Sequence, residues 1–453
     1  MAFSYAARQL VIAGLAANAV RPLGGRYGSI PAFAAGWLTS ELAPQLLALS
    51  AADTAAELTL RRRRRRGAGN RATSRLGLVA AAVGIGTLGH LVRGAMGSGE
   101  TVEGTLKESL GADYLDRLEQ PLDVPPHSTW RELARPFKLT DPGVEVIRDI
   151  NYRVGGSRAR LDIYRPRGVD LHGAPVLFQV HGGGWTIGDK SQQGLLLMNR
   201  MAQRGWICVA SNYALAPKHP FPAQIIDVKK ALDWVRQHIG EYGGDPSYIV
   251  ITGGSAGGHL AALAALTPDV KEFQPGFEDA DTHVSACVPF YGVYDLAGLT
   301  GDQHAVGMRD WFLGPRVFRK DPREHLEDFV RASPLAHVAG HTPDFFVLHG
   351  ANDSLVDVGQ ARQFVRMLRE KSDASVTYSE LPGAQHAFEV FGSIRSHHVI
   401  KAVERWLEWH RATRREATSE GGSVARKSEN PLADDVAEHL RRTSGDGQAA
   451  GQQ

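Results

Sequence analysis

The chain has 453 residues, of which 43% are hydrophobic and 22% charged, enough for one large globular domain and additional segments. A formal net charge of +2 excludes a general electrostatic attraction to nucleic acid. The two cysteines, Cys208 and Cys287, lie in apolar runs. This pattern predicts buried free thiols and excludes a disulfide framework or a cysteine-based metal site.

The first part of the chain, residues 1–110, contains three apolar stretches, at 3–20, 30–60 and 76–92. Charged residues interrupt the first two, and the third is near the lower length limit for crossing a bilayer. The start lacks a basic segment followed by an uninterrupted apolar core, so a cleaved signal peptide is not predicted. We expect residues 1–110 to form an apolar helical extension.

The second of these stretches predicts an amphipathic helix, because four leucines recur on one helical face: Leu38, Leu42, Leu46 and Leu49. Six consecutive arginines, Arg61–Arg66, follow it. Such a run can hold anionic lipid head groups at about 1 kcal/mol per residue. We therefore expect residues 1–95 to associate with a membrane surface, which predicts a membrane or cell-envelope location. The alternative is a soluble helical extension with a solvated basic loop, in a cytoplasmic protein.

The rest of the chain divides by composition into three parts. Residues 111–143 are polar and rich in proline, which predicts a linker or an approach to a cap. Residues 144–411 alternate apolar strand patterns with helical patterns, which predicts an α/β fold with a mostly parallel sheet flanked by helices. Residues 412–453 are rich in Arg, Glu, Ser, Gly and Gln, which predicts a disordered tail.

The elements of the α/β part follow from apolar runs and helical spacing. An antiparallel pair with a turn at Gly155–Gly156 is expected first, and the last element is a helix. The predicted strands are 144–154, 160–164, 175–180, 206–211, 248–252, 284–291, 345–348 and 376–381; the predicted helices lie around Met198 and at 223–239, 259–266, 358–368 and 399–409.

A nucleophile motif lies at the centre of this alternation. The segment Gly253-Gly254-Ser255-Ala256-Gly257 has the form G-x-S-x-G and lies between the strand at 248–252 and the helix at 259–266. In that context the serine occupies a tight strand-to-helix turn that lifts its hydroxyl above the sheet edge. Glycines are required on both sides because side chains there would collide with the turn. We predict Ser255 to be a nucleophile; the alternative is an ordinary glycine-rich turn.

A serine nucleophile needs a base and an orienting acid, and in this fold they follow in the order acid, then histidine. Asp353 comes directly after the strand at 345–348, and His386 comes after the strand at 376–381. We predict that these two residues complete a triad with Ser255. Asp357 is the competing acid, and the competing bases are His349, His397 and His398.

An oxyanion-binding loop is expected after an early strand. The strand at 175–180 is followed by His181-Gly182-Gly183-Gly184-Trp185, where glycines allow several backbone N–H groups to point at one spot. We predict that Gly182 and Gly183 form the oxyanion hole with Ala256. We expect His181 to brace this loop. Trp185 is a candidate wall of the substrate pocket.

These motifs together resemble the hormone-sensitive-lipase-like branch of the α/β-hydrolases, the bacterial family IV esterases and lipases. A further segment, Asn212-Tyr213-Ala214-Leu215-Ala216-Pro217, is similar to one in that family, and we take Tyr213 as a second candidate pocket residue. One departure is Gly254, because many members carry an acidic residue just before the serine. The long extension is similar to that of actinobacterial, mycobacterial-type envelope esterases.

The resemblance implies an α/β-hydrolase fold, hydrolysis of carboxylic esters, and neither metal nor organic cofactor. It also implies a cap, which residues before 143 and the segment 301–329 are placed to supply; Trp311, Phe312 and Phe318 there are candidates for an acyl site. We therefore expect a serine carboxylesterase or lipase acting on short- to medium-chain acyl esters. The alternatives are an amidase or acyltransferase on the same fold, or a non-catalytic binding protein. No sequence feature indicates an oligomeric state.

Overall fold

The computed structural model describes residues 4–22, 29–63, 71–118 and 130–419. The predicted disordered tail lies outside these residues from position 420 onward. Its first part, however, is helical, because the last helix continues to Ser419. The predicted boundary at residue 411 is therefore too early for the end of this helix.

Eight strands form one sheet in the order β1-β2-β4-β3-β5-β6-β7-β8. The pairs β1–β2 and β2–β4 are antiparallel and all other neighbours are parallel, which confirms the predicted mostly parallel sheet with its leading antiparallel pair. The strands are β1 Val144–Asn151, β2 Arg160–Pro166, β3 Ala174–Val180, β4 Ile207–Ser211, β5 Gly244–Gly254, β6 Ala286–Phe290, β7 Asp344–Gly350 and β8 Val376–Leu381.

Helices flank this sheet and also form the N-terminal part of the chain. They are α1 Tyr5–Val20, α2 Ser29–Glu41, α3 Ala43–Arg63, α4 Arg71–Leu110, α5 Trp130–Leu133, α6 Leu195–Gln203, α7 Ala223–His238, α8 Ala256–Leu266, α9 Gln303–Met308, α10 Leu326–Arg331, α11 Val358–Lys371 and α12 Ile394–Ser419. A π-helical segment, Arg309–Phe318, continues directly from α9. It lies within the segment that was expected to contribute to a cap.

The strand β5 lies at the middle of the sheet and is covered on both faces. Alternate residues point to opposite faces of a strand, so Ile249 and Ile251 pack into one core while Val250 packs into the other. The first core includes residues of α7, α8 and α11, and the second includes residues of α6 and α12. This two-sided burial explains the continuous apolar sequence of the strand. Cys208 and Cys287 are buried free thiols, as predicted.

The N-terminal helices α1–α4 pack against one another. The four leucines do not lie in one uninterrupted helix, because Leu42 forms a turn between α2 and α3. The N–H groups of Leu42 and Leu46 still donate to the carbonyls four residues earlier, each at 3.0 Å. Pro44 lies in the first turn of α3, where its missing N–H is tolerated. Leu38 and Leu49, on either side of the turn, are both exposed.

The C-terminal half of α4 joins these helices to residues 144–411, the part predicted to carry the active site and called the catalytic part below. Leu106 is fully buried in the second core, beside residues of α12 and β8. Glu103 pairs with Arg405 of α12 at 2.9 Å between Oε2 and Nη1 and accepts a hydrogen bond from the Tyr114 hydroxyl at 3.1 Å. Tyr114 is fully buried, so the start of the predicted linker is packed into the protein.

Candidate active site

Ser255 lies in a strained turn between β5 and α8. Its φ and ψ are 60° and −123°, a conformation that residues with side chains rarely adopt. The flanking glycines make the turn possible: a Cβ at Gly253 would lie 2.5 Å from the Val180 carbonyl oxygen, and one at Gly257 only 2.1 Å from the same atom. The predicted strand–serine–helix arrangement is therefore present, with the steric reason expected for both glycines.

The backbone around Ser255 holds the residue at the start of α8. The Ser255 N–H donates to the Phe290 carbonyl at 3.0 Å, and the Ser255 carbonyl accepts the first helical hydrogen bond from His259 N–H at 2.9 Å. Ala256 is the first helical residue, so its N–H has no acceptor within the helix. The positive end of the helix dipole therefore lies beside the serine.

Asp353 and His386 meet as predicted, although 33 residues separate them. His386 Nδ1 lies 2.6 Å from Asp353 Oδ2. The other oxygen, Oδ1, accepts the N–H groups of Leu355 and Val356, each at 2.9 Å. Burial opposes ionisation of Asp353, but the nearby His386 and His349 outweigh it and hold the pKa of the carboxyl well below its usual range. A fixed carboxylate thus orients the His386 ring.

The competing residues have other places in the structure. Asp357 caps α11, where its carboxylate accepts the Gly359 N–H at 2.7 Å. His349 is fully buried behind Asp353, with Nε2 at 3.3 Å from Asp353 Oδ2 and at 3.0 Å from the Val356 carbonyl oxygen. His398 lies against α4, where a Cβ at Gly99 would collide with its ring.

The triple-glycine loop lies next to Ser255. A Cβ at Gly182 would come within 3.2 Å of Ser255 Cβ and 2.6 Å of the Gly254 carbonyl oxygen, so only glycine fits this close approach. The N–H of Gly182, however, does not point freely at the site. It donates to Gln193 Oε1 at 2.7 Å, which corrects the predicted role of Gly182 as an oxyanion donor.

The remaining donors of this loop are differently arranged. Gly183 has φ of 115° and Gly184 has φ of 56°, both in the left-handed region that favours glycine. The Gly183 carbonyl accepts the N–H groups of Thr186 and Ile187, each at 3.1 Å, which closes the turn. Its N–H has no hydrogen-bond partner among the residues that the structure describes. Of the two loop N–H groups predicted to bind the oxyanion, the Gly183 N–H is therefore the one that makes no other hydrogen bond among the described residues.

The two candidate pocket residues support the loop from behind. Tyr213 is fully buried, stacks on His181 with ring centroids 4.2 Å apart, and donates to the His181 carbonyl at 2.9 Å. Trp185 is 2% exposed, and its indole N–H donates to His259 Nδ1 at 3.0 Å. Burial lowers the pKa of His181 to about 4 and that of His259 to about 4, so both rings are neutral at pH 7 and brace the loop.

The segment Arg309–Phe318 reaches the same loop. The ring of Phe312 lies close to Gly184, where a Cβ would be 3.2 Å from Phe312 Cζ. Phe318, by contrast, is buried and stacks on Phe329 with centroids 4.1 Å apart. Of the aromatic residues expected to line an acyl site, Phe312 is thus adjacent to the loop and Phe318 belongs to the core.

A tyrosine occupies the space that Gly254 leaves beside the serine. A Cβ at Gly254 would lie 2.8 Å from the Tyr291 hydroxyl oxygen. That hydroxyl donates to Glu389, and the Tyr291 ring lies 4.4 Å from the His386 ring between centroids. Burial raises the pKa of Glu389 to about 7. This chain therefore has Gly254 where an acidic residue was expected, and Tyr291 fills the space beside it and links the buried carboxyl of Glu389 to the site.

The helix α2 also reaches the site. The sequence predicted a cap from residues before 143 but indicated no particular residue for this contact. The edge of Phe33 faces His386 with centroids 5.7 Å apart, and Phe33 stacks on Trp37 at 5.6 Å. Trp37 in turn contacts Phe391, with centroids 5.4 Å apart. The signal for this contact was the pair of aromatics four residues apart in an otherwise small-residue helix, which is typical of one packed helical face.

Within the described residues, no group of three or more His, Cys, Asp or Glu side chains is arranged to hold a metal ion. The site consists of a strained serine at the carboxyl end of a central parallel strand, a histidine–aspartate pair and a glycine loop. A mostly parallel eight-stranded sheet with such a serine is the arrangement of the α/β-hydrolase fold.

Comparisons with known proteins agree with this class. The BD-FAE family matches residues 161–368. The chain is 52% identical over 279 residues to a probable carboxylic ester hydrolase, LipM, of Mycobacterium tuberculosis, covering 61% of this chain and 64% of the relative. It is 48% identical over 260 residues to the esterase LipQ of the same organism, covering 57% of this chain and 61% of the relative. The chain thus spans less than two thirds of these relatives.

Solved structures show the same fold. A truncated carbohydrate esterase from gut microbiota superposes with a TM-score of 0.51 at 25% identity, covering 60% of this chain and 98% of the other. Esterase B from Lactobacillus rhamnosis has the same fold, with a TM-score of 0.53 at 20% identity over 64% of this chain and 94% of the other. The chain therefore has the α/β-hydrolase fold.

Proposed function

We propose that the protein is a serine carboxylesterase or lipase that hydrolyses short- to medium-chain acyl esters. The observation that carries this proposal is the His386–Asp353 pair, which lies in the fold that also strains Ser255 into its turn beside the glycine loop. The curated relatives LipM and LipQ are named as a probable carboxylic ester hydrolase and an esterase, which supports ester bonds as the target.

In the proposed mechanism, Ser255 Oγ attacks the ester carbonyl carbon and its proton passes to His386 Nε2. Asp353 accepts the Nδ1–H, which leaves Nε2 as the basic nitrogen and stabilises the imidazolium that forms. The negative charge that develops on the carbonyl oxygen is stabilised by the N–H groups of Ala256 and Gly183. Collapse of this intermediate expels the alcohol, which takes the proton from His386, and leaves an acyl group on Ser255.

The second half of the proposed reaction uses the same groups in reverse. His386 takes a proton from water as the water oxygen attacks the acyl carbon, and Ser255 leaves with that proton. The products are the free acid and the restored enzyme. Two donors remain for the oxyanion because Gln193 holds the Gly182 N–H. Losing one such donor typically costs about 3 kcal/mol in the transition state.

The proposal is tested by assaying p-nitrophenyl acyl esters with wild type and Ser255→Ala. We expect the variant to lose about 10⁴-fold or more in kcat and to lose labelling by a fluorophosphonate probe. Ser247→Ala is the matched control, since Ser247 belongs to the same strand but its hydroxyl only bonds Asp245, at 2.6 Å. Equal rates for wild type and Ser255→Ala would refute the proposal.

A further inference from the structure

Exposed large hydrophobic side chains are concentrated in the N-terminal helices. Of the 18 such residues in the described part of the chain, 12 belong to α1–α4, while the much longer catalytic part has only isolated ones. Scattered single apolar residues are normal on a protein surface, whereas a concentration in one region marks an interaction site. The surface of α1–α4 therefore requires a partner.

The exposed apolar residues of α4 form a continuous face. Leu76, Val79 and Val83, at spacings of three and four residues, are 51%, 62% and 54% exposed. Ala82, between them, and Gly86, one turn further on, are also exposed. The face therefore carries no charge over about three turns. Among the described residues, one helical segment, Arg75–Leu110, is long and apolar enough by length and composition to cross a membrane. A third of its most apolar window is buried inside the protein.

Some polar side chains of these helices pair with one another. Gln9 is fully buried, where its Oε1 accepts from the Ser50 hydroxyl at 2.7 Å and its Nε2 donates to Asp53 at 2.8 Å. Arg8 pairs with the same carboxylate at 2.7 Å between Nη2 and Oδ1, with the Arg8 side chain 43% exposed. A buried, hydrogen-bonded glutamine beneath exposed apolar side chains is an arrangement expected of helices in contact with lipid.

The net charge of this region is positive. Residues 1–110 contain twelve arginines, one lysine and six acidic residues, a net +7 in a chain whose total is +2. Six of the arginines are the run Arg61–Arg66; α3 ends at Arg63, and Arg64–Arg66 lie outside the described residues. A second copy of this chain would bring an equally positive surface to the contact, so self-association is opposed by charge. Anionic lipid head groups provide the complementary charge.

The helix α2 connects this region to the candidate site. Its inner face carries Phe33 against His386 and Trp37 against Phe391. Two other residues of this helix remain exposed: Ile30 is 58% exposed and Leu38 is 43% exposed. One short helix therefore packs against His386 and also leaves apolar side chains exposed to the outside.

We propose that α1–α4 dock on a bilayer containing anionic lipids, and that the ester substrates of the site under α2 are presented by that bilayer. The apolar faces of α1, α3 and α4 enter the interface while the arginine run binds the head groups. The choice of substrate rests on the proposed function, whereas the docking does not. The substrate class is thus an acyl ester of a membrane-resident lipid.

The docking is tested by co-sedimentation of the full chain with vesicles of phosphatidylcholine, alone or with about 30 mol% phosphatidylglycerol to supply anionic head groups. We expect binding to require phosphatidylglycerol and to weaken as salt is raised. The double variant Val79→Asp/Val83→Asp should bind about tenfold less or weaker still, as should replacement of the six arginines by glutamine.

The matched control is Val154→Asp/Val169→Asp, which places the same charges on exposed valines of the catalytic part. This control should bind vesicles as wild type does. Equal vesicle binding by the Val79→Asp/Val83→Asp variant and wild type would overturn the docking. So would loss of self-association in that variant, measured by analytical ultracentrifugation, with vesicle binding unchanged, since the face would then be a protein interface.

A second readout separates docking from catalysis. Ser255→Ala should bind vesicles as wild type does, and Val79→Asp/Val83→Asp should hydrolyse a soluble p-nitrophenyl ester at the wild-type rate. Hydrolysis of an acyl ester dissolved in the vesicles should fall about tenfold in that double variant, in parallel with binding. Unchanged hydrolysis of the vesicle-borne ester in a variant that no longer binds would overturn presentation by the bilayer. If the wild-type protein did not hydrolyse the soluble ester, that result would instead count against the proposed function.

Discussion

The catalytic part of the chain and the N-terminal helices place their apolar residues in opposite ways. In the catalytic part, Ile249, Val250 and Ile251 fill cores on both sides of the sheet. In the N-terminal helices, apolar residues such as Val79 and Val83 remain exposed, while Gln9 is buried. The hydrophobic effect explains both, because an apolar face that finds no cover within the chain requires cover from outside. A single chain can thus combine one part whose apolar residues are buried by the chain itself with another part whose apolar surface stays exposed.

The two regions meet at a buried ion pair. Glu41, at the end of α2, pairs with Arg395 and accepts a hydrogen bond from the Ser393 hydroxyl at 2.6 Å. The Glu41 and Arg395 side chains are each 1% exposed. This junction lies at the start of α12, shortly after His386 in the chain. The position of α2 over the histidine therefore depends on a contact that neither region could make alone.

The largest expected effect lies wholly within the catalytic part. Asp353→Asn should lower kcat by about 10⁴-fold, because the amide cannot hold His386 in the tautomer that leaves Nε2 basic. Asp357→Asn is the matched control in the same loop, where the side chain only caps α11, and it should change kcat less than about twofold while costing about 1 kcal/mol of stability at most. Comparable losses of kcat in both variants, measured with p-nitrophenyl esters, would show that Asp353 has no special role.

The junction gives the next largest effect and tests the contrast between the regions. Glu41→Gln removes the charge that compensates buried Arg395, which should lower the free energy of unfolding by about 3–5 kcal/mol. Asp53→Asn breaks the Arg8–Asp53 pair, in which the Arg8 side chain is 43% exposed, and should cost about 1 kcal/mol or less. Urea unfolding at pH 7 measures both. Similar losses for the two variants would mean that the buried junction is no stronger than the exposed pair.

A smaller effect is expected from Glu389, which Tyr291 links to the site. Burial raises the pKa of this carboxyl to about 7, so the folded protein binds its proton more tightly than the unfolded chain does. Unfolding therefore releases a proton between pH 4.5 and 7, and the contribution of Glu389 to stability falls as the pH rises through that window. The full change is about 3 kcal/mol at most.

Glu389→Gln removes this titration and should flatten the pH dependence of the unfolding free energy between pH 4.5 and 7. Tyr291→Phe is the companion variant, because it keeps the carboxyl and removes its hydrogen-bond donor. It should leave the titration in place and shift it to higher pH. Parallel stability profiles for wild type and Glu389→Gln, followed by urea unfolding at several pH values, would contradict the prediction.

Much of the catalytic part could be predicted because its signals are local. The Ser255 turn follows from a strand, two glycines and a helix within about 20 residues, and the strand patterns place Asp353 and His386 at the same edge of the sheet. The structure brings Asp353 and His386 together at 2.6 Å. The donor role of Gly182 could not be judged in this way, because Gln193, which engages its N–H, carries no motif.

The N-terminal helices were predicted as apolar and amphipathic, but their packing was not. The sequence alone favoured one helical face through Leu38 and Leu49, whereas the structure has two helices, α2 and α3, with a turn at Leu42 between them. Contacts such as Phe33 with His386 join residues more than 350 positions apart, and no periodicity specifies them. Long-range contacts of this kind depend on which surfaces the rest of the chain leaves open.

By itself, the sequence determined the alternation of strands and helices, the strained serine turn and the order of the acid and the histidine. These are set by sterics and hydrophobic periodicity over short distances, where few alternatives exist. Only the tertiary structure decided that Gln193 holds Gly182, that Tyr291 contacts both Glu389 and His386, and that α2 covers the site. Each of these needs side chains distant in sequence to meet in one place, and their meeting is governed by packing of the whole molecule.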